Sequence, residues 1–208
     1  FVVQLAVLLF AVSFHESAHG WVALRFGDTT AHDLGRITMN PAKHLDPIGS
    51  LFVPLMLALS GAPVFGWAKP VPVNLGGVKN PRKANFFVSA AGPLSNVILT
   101  VLFAGAFYAL AAAWDGDKRS ILKALLDVAL SGVIVNVSLA VFNMLPVPPL
   151  DGFGVVESFV PTRFLPQVLW VRRFGPILFL VLIFTGAFRI VLSPAVGSIL
   201  HLLLGVPK

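Results

Sequence analysis

Apolar residues run along this chain in blocks, and several blocks are long enough to cross a bilayer. A spanning helix needs about 20 mostly apolar residues. Residues 1–24 form the first such block, 86–114 the longest, and 121–145 follows after the polar turn 115–119. Residues 51–66 are fewer and are broken by Pro54, Gly61 and Pro63, the pattern of a re-entrant piece. Residues 176–192 are a further candidate span, whereas 195–206 are too few to cross alone. Breakers fill the gaps. Residues 25–47 read as an irregular loop, punctuated by Gly27, Asp28, Asn40-Pro41 and Asp46-Pro47. Over 66–81, Trp67, Val71, Val73 and Val78 are spaced among Lys, Pro, Asn and Gly, which predicts short strands. Residues 146–161 hold too much proline and glycine to be helical throughout. No repeat and no second soluble unit is visible. The pattern predicts an all-α polytopic membrane protein, one membrane-embedded domain over residues 1–208, with a re-entrant segment and short strands at one face.

Composition agrees. Hydrophobic residues make up 57% of the chain and charged residues 12%, against about 25% charged in soluble domains. A water-facing surface cannot be built from so few charges, which excludes a soluble enzyme or a disordered tail. With no cysteine, disulfides, thiolate metal sites and cysteine nucleophiles are excluded as well. Fifteen Lys and Arg against nine Asp and Glu leave +6. In so apolar a chain that surplus marks cytoplasmic loops, and no nucleic-acid partner is expected. The first apolar block opens without the basic flank of a signal peptide.

Chemistry enters with His15-Glu16-Ser17-Ala18-His19, an H-E-x-x-H pattern inside the first block. Helix positions i and i+4 share a face, so both imidazoles can bind one metal ion. Glu16 is rotated off that line but stays beside the open coordination position, where a general base belongs. With two glutamates and five histidines, chance places the pattern on the order of once in a thousand such sequences. The setting adds weight. An ionisable group at the centre of a spanning helix costs about 2.5–3.5 kcal/mol on insertion scales, so Glu16 needs a reason to be there.

Catalytic zinc usually takes three protein ligands and keeps one position open. Asp151, directly after the third long block, is one candidate for the third; Asp127, Asp46 and His44 are others. Spacing does not choose among them, and Asp-Gly after prolines is by itself a turn signal. Topology bears on the choice. If 86–114 and 121–145 both span and 51–66 does not, Asp151 returns to the side where His19 lies. Arg25, Arg36, Lys43, Lys69, Lys79, Arg82, Lys83, Arg163, Arg172 and Arg173 then share that side, against Lys118, Arg119 and Lys123 opposite. The positive-inside rule makes the crowded side cytoplasmic.

With these residues the chain resembles the site-2 proteases, intramembrane zinc metalloproteases, in their compact bacterial and archaeal branch. His15-Glu16-x-x-His19 matches the first family motif. Asn143 to Pro146 followed by Leu150-Asp151-Gly152 matches the second, N-x-x-P and L-D-G. Gly92-Pro93-Leu94-Ser95-Asn96 resembles the G-P-x-x-N segment between them. The Gly35-Arg36 to Asp46-Pro47 loop and the run from Gly66-Trp67 to Val73 resemble further stretches of that branch. The motifs cover residues 14–154, so the motif-bearing core is about 1–154 and further helices follow at about 174–206. No PDZ-like or CBS-like insertion is expected within these residues.

The resemblance implies one Zn2+ per chain on His15, His19 and Asp151, with Glu16 as general base and later proton donor. It implies that Asn143 polarises the scissile carbonyl or holds the substrate backbone, and that Asn96 positions substrate. Asn143, Asn136, Asn96 and Ser95 are expected to line a polar pocket that admits water. An unwound substrate helix is expected to add as a strand along residues 66–78. The implied activity is hydrolysis of peptide bonds in or near membrane spans of single-span regulators or remnant signal peptides, in the cell membrane, with the site toward the cytoplasm. Two other classes compete. A divalent-metal transporter would be expected to show several sites and internal pseudo-symmetry, and this chain shows one cluster and no repeat. An inactive membrane scaffold would be expected to have lost Glu16 or a ligand, and all are present.

Overall fold

The computed structural model describes residues 2–61 and 66–205. Helix α1 (Val2–Arg25) is turned inside out by the standards of a soluble helix. Ser13, His15, Ser17 and His19 are buried, while Leu5, Leu8, Phe10 and Trp21 are exposed. Lipid tails are as apolar as leucine, so nothing is gained by hiding those side chains, and the polar ones turn inward instead. Gly27, at φ 97°, ends the run in a conformation that a side chain would resist.

Helix α2 (Thr30–Asp33) is a single turn, and α3 (Val53–Ser60) follows a wide helical turn over Pro47–Phe52. The Asp46 carboxylate starts that turn by accepting the N–H groups of Ile48 and Gly49. At eight residues, α3 is about 12 Å long and too short to cross. Pro63, one of the expected breakers, lies outside the described residues.

Helix α4 (Pro81–Ala113) opens on an Asn80 cap and Pro81, and α5 (Ile121–Asn143) on a Ser120 cap. They pack closely because α5 carries Gly132 under the Phe103 ring, where a Cβ would stand 2.6 Å from Phe103 Cδ2. Ala104, Val133 and Val137 fill the seam. One end of the bundle gathers three elements. Phe26, just past α1, stacks on Phe87 of α4 at 5.7 Å between centroids. Asn85 of α4 donates to Gly154 O in α6 (Asp151–Glu157) at 2.9 Å. The stretch from α1 to α4 therefore leaves and returns at the same end.

Two expectations are corrected. No strand forms among the described residues. Residues 67–74 form neither helix nor strand, and their N–H groups go elsewhere: Trp67 to Gly49 O, Lys69 to His44 O, Val71 to a Glu16 carboxylate oxygen, Asn74 to an Asp28 carboxylate oxygen. Pro70 and Pro72 have no N–H, so a ladder cannot propagate. The alternation that predicted strands belongs to a strap tied down by other groups.

The second correction is C-terminal. Chain 176–192 is not one helix; α7 (Leu165–Phe184) and α8 (Ala187–Leu204) meet at Gly186, φ 72°. Arg172 and Arg173 lower the hydropathy of the first half of α7, which hid its start. Among the described residues five helices are long and apolar enough to cross a membrane: α1, α4, α5, α7 with its preceding turn, and α8. That is the architecture of a polytopic membrane protein. Gly175 of α7 lies against Pro148, where a Cβ would fall 2.6 Å from the proline Cβ.

Candidate metal centre

His15 and His19 sit one turn apart on the buried face of α1, their rings edge to face with centroids 4.7 Å apart. The turn after α5 brings in Asp151, first residue of α6. His15 Nε2 is 3.1 Å from His19 Nε2 and 3.1 Å from Asp151 Oδ2, and His19 Nε2 is 3.3 Å from Asp151 Oδ1. Donor atoms about 2 Å from one tetrahedral zinc ion stand about 3.3 Å apart. The three side chains already hold that spacing. Asp151 Oδ2 is buried without a hydrogen-bond partner, a state a carboxylate oxygen tolerates when a cation completes it. Two imidazoles and a carboxylate suit zinc.

Neighbouring groups set the rings. His19 Nδ1 lies 2.6 Å from Val88 O, which has no proton to give, so Nδ1–H donates and, in the neutral ring that binds a metal, Nε2 carries the lone pair. His15 Nδ1 lies 2.6 Å from Asn96 Oδ1 with the same consequence. Gly92 backs the pair, and a Cβ there would stand 2.5 Å from His15 Nε2 and closer still to His19 Nε2. Gly152 serves the carboxylate, since a Cβ would meet Leu145 O at 2.6 Å. The other candidates for third ligand are elsewhere. His44 gives its Nε2–H to Thr38 O, Asp46 caps the turn before α3, and Asp127 pairs with Lys123.

Known proteins resemble this chain along most of its length. "Putative zinc metalloprotease YwhC" of Bacillus subtilis (strain 168) is 40% identical over 193 residues, covering 92% of this chain and 84% of that protein. "Putative zinc metalloprotease Rip2" of Mycolicibacterium smegmatis (strain ATCC 700084 / mc(2)155) is 32% identical over 193 residues, covering 90% and 68%. The chain belongs to the site-2 protease-like family. "Putative zinc metalloprotease Rip3" of Mycobacterium tuberculosis (strain ATCC 25618 / H37Rv) is 32% identical over 128 residues, 60% of this chain and 31% of that one. No family model and no solved structure matches. The relatives' names support a metalloprotease role.

In this site-2 protease-like centre Glu16 faces the strap, with Oε2 accepting the Val71 N–H at 2.8 Å. Arg36, buried, holds the strap by donating to Lys69 O at 2.8 Å and Pro70 O at 3.2 Å. Asp28 anchors its far end at Asn74 N–H, 2.6 Å, and also accepts the N–H and Oγ1–H of Thr30. Burial alone would raise the Asp28 carboxyl, but these bonds from Thr30 and Asn74 outweigh it and hold it below its usual value. Asn143, half-buried at the end of α5, donates Nδ2–H to Leu139 O.

Asn96 sits behind His15, with no exposed surface and both ends of its amide engaged. Asn136 is equally enclosed, and Ser95 bonds Gly92 O, so these residues do not line an open polar pocket. No residue pattern signals Val88 O, a backbone acceptor, and nothing beyond its charge marks Arg36 as the tie on the strap.

Proposed function

We propose that this protein is an intramembrane zinc endopeptidase that cleaves membrane proteins in or near their spans. The observation that carries the reading is the His15, His19 and Asp151 triangle at zinc-ligand spacing, on spanning helix α1 and the turn after α5. These three residues would hold one Zn2+ per chain. When bound, zinc supplies a Lewis acid that polarises a carbonyl and makes water more acidic. Glu16 takes the proton of the attacking water and passes it to the leaving amide nitrogen. The Val71 N–H on Oε2 fixes that carboxylate, leaving Oε1 for the proton. Asn143 holds the substrate carbonyl. The segment being cut must unwind, because a helix hides its carbonyls in its own hydrogen bonds. It would lie beside Glu16, next to the strap.

The substrate class is single-span regulators or remnant signal peptides of the cell membrane. The site opens toward the cytoplasm, where the basic loops gather. The test uses a tagged single-span substrate in liposomes, with purified wild type beside Glu16→Gln. Cleavage by wild type and none by the variant, with zinc retained in both, is the expected result. Equal cleavage by both would sink the assignment of the base.

A further inference from the structure

We propose that Asn136 is a positioning residue that fixes the donor form of His15 through Asn96; this rests on the zinc reading above. The argument starts at a backbone carbonyl. Asn136 Nδ2 donates to Gly132 O at 2.8 Å, and a carbonyl only accepts, so the Asn136 amide has one permitted orientation. Its Oδ1 must then face Asn96, whose Nδ2 donates to it at 2.8 Å. That leaves Asn96 Oδ1 for His15, and Nδ1 must carry the hydrogen at 2.6 Å. His15 Nε2 is thereby left with a lone pair aimed at His19 and Asp151. A single fixed acceptor on α5 propagates across two amides to a ligand atom on α1.

Each link is enclosed. Asn96 and Asn136 have no exposed surface, so neither amide can turn over by borrowing water. Without Asn136, the Asn96 amide could present either end to His15, and its NH2 end would demand the Nδ1 lone pair and place the hydrogen on Nε2. That form cannot bind a metal through Nε2. Partners behind metal-bound histidines act in this way generally, orienting the ring and fixing its tautomer. Gly132 contributes twice: its carbonyl anchors the relay, and its missing side chain lets α5 approach α4.

The test is a double-variant cycle on the full chain in detergent, with zinc affinity read by competition with a chromophoric chelator. Asn136→Leu is expected to weaken zinc binding about 10–100-fold. In the Asn96→Asp background the same change is expected to alter affinity by no more than about twofold. A carboxylate accepts from Nδ1–H in either orientation and needs no relay. Equal loss in both backgrounds would mean that Asn136 only supports packing, and unchanged affinity of Asn136→Leu would also overturn the proposal. A second measurement needs no variant. Nitrogen-15 spectra of histidine-labelled, zinc-loaded wild type should show His15 protonated at Nδ1, and a hydrogen absent from that atom would refute the relay. Wild type that binds no zinc would bring down the metal reading and this inference together.

Discussion

Glu16 and Val71 are 55 residues apart in sequence and share a 2.8 Å hydrogen bond, main-chain N–H to carboxylate. Because Val71 lies in a strap with no sheet around it, the position of that N–H depends on the side chains that tie the strap. Arg36 is the main one. Arg36→Leu leaves the Lys69 and Pro70 carbonyls unpaired, a local cost of about 1–3 kcal/mol. Cleavage is expected to fall roughly tenfold or more, while zinc content measured by elemental analysis stays at the wild-type level. Loss of zinc along with activity would show that the strap supports the metal ligands as well.

A methyl group at position 92 would collide with both ligand nitrogens. Gly92→Ala is expected to weaken zinc binding at least about tenfold, measured by chelator competition. Gly105→Ala, on the same helix where nothing lies within 4 Å of the added carbon, should leave affinity unchanged. If both variants bind zinc normally, the close approach of α4 to the histidines is not a requirement of the site.

Acid should loosen the strap before it unfolds the bundle. The Asp28 carboxyl is held below its usual value in the folded protein, so the stabilisation it brings is present above its unfolded pKa. It is lost as pH falls through the folded pKa. Protease nicking within residues 67–74 should increase on that acid limb in wild type. Asp28→Asn should show the nicking already at neutral pH and flatten the dependence.

Metal should act on stability as well as activity. Zinc at about 100 times its dissociation constant adds about 2.7 kcal/mol to the folded state. A chelator is expected to abolish cleavage and lower the unfolding temperature, and zinc to restore both. Asp151→Ala should remove the zinc-dependent shift in unfolding temperature, and a shift that persists would point to ions bound elsewhere.

Much of this was legible in the residues themselves. The long helices follow from apolar length, and α1 was readable as a ligand helix because H-E-x-x-H has helical spacing. Spacing left Asp151 one of four candidates and topology and the resemblance favoured it, while its meeting with the histidines depends on the turn after α5. The strap misled because side-chain alternation is shared by any extended chain, and only the prolines at 70 and 72 warned that a ladder would not form. Two arginines masked the start of α7, and the break at Gly186 was hidden because a lone glycine barely interrupts an apolar run. The Asn96–Asn136 relay was invisible because the bond spans 40 residues and isolated asparagines carry no pattern.

Gly175 against Pro148 extends the functional unit beyond its signature. Every diagnostic motif lies before residue 155, yet the turn that presents the third ligand leans on a helix that begins at Leu165. A side chain at 175 would act as a wedge, prying at the carboxylate from a region no motif search would examine. The carboxylate's placement in this chain therefore rests on a small residue in a helix that otherwise looks like filler.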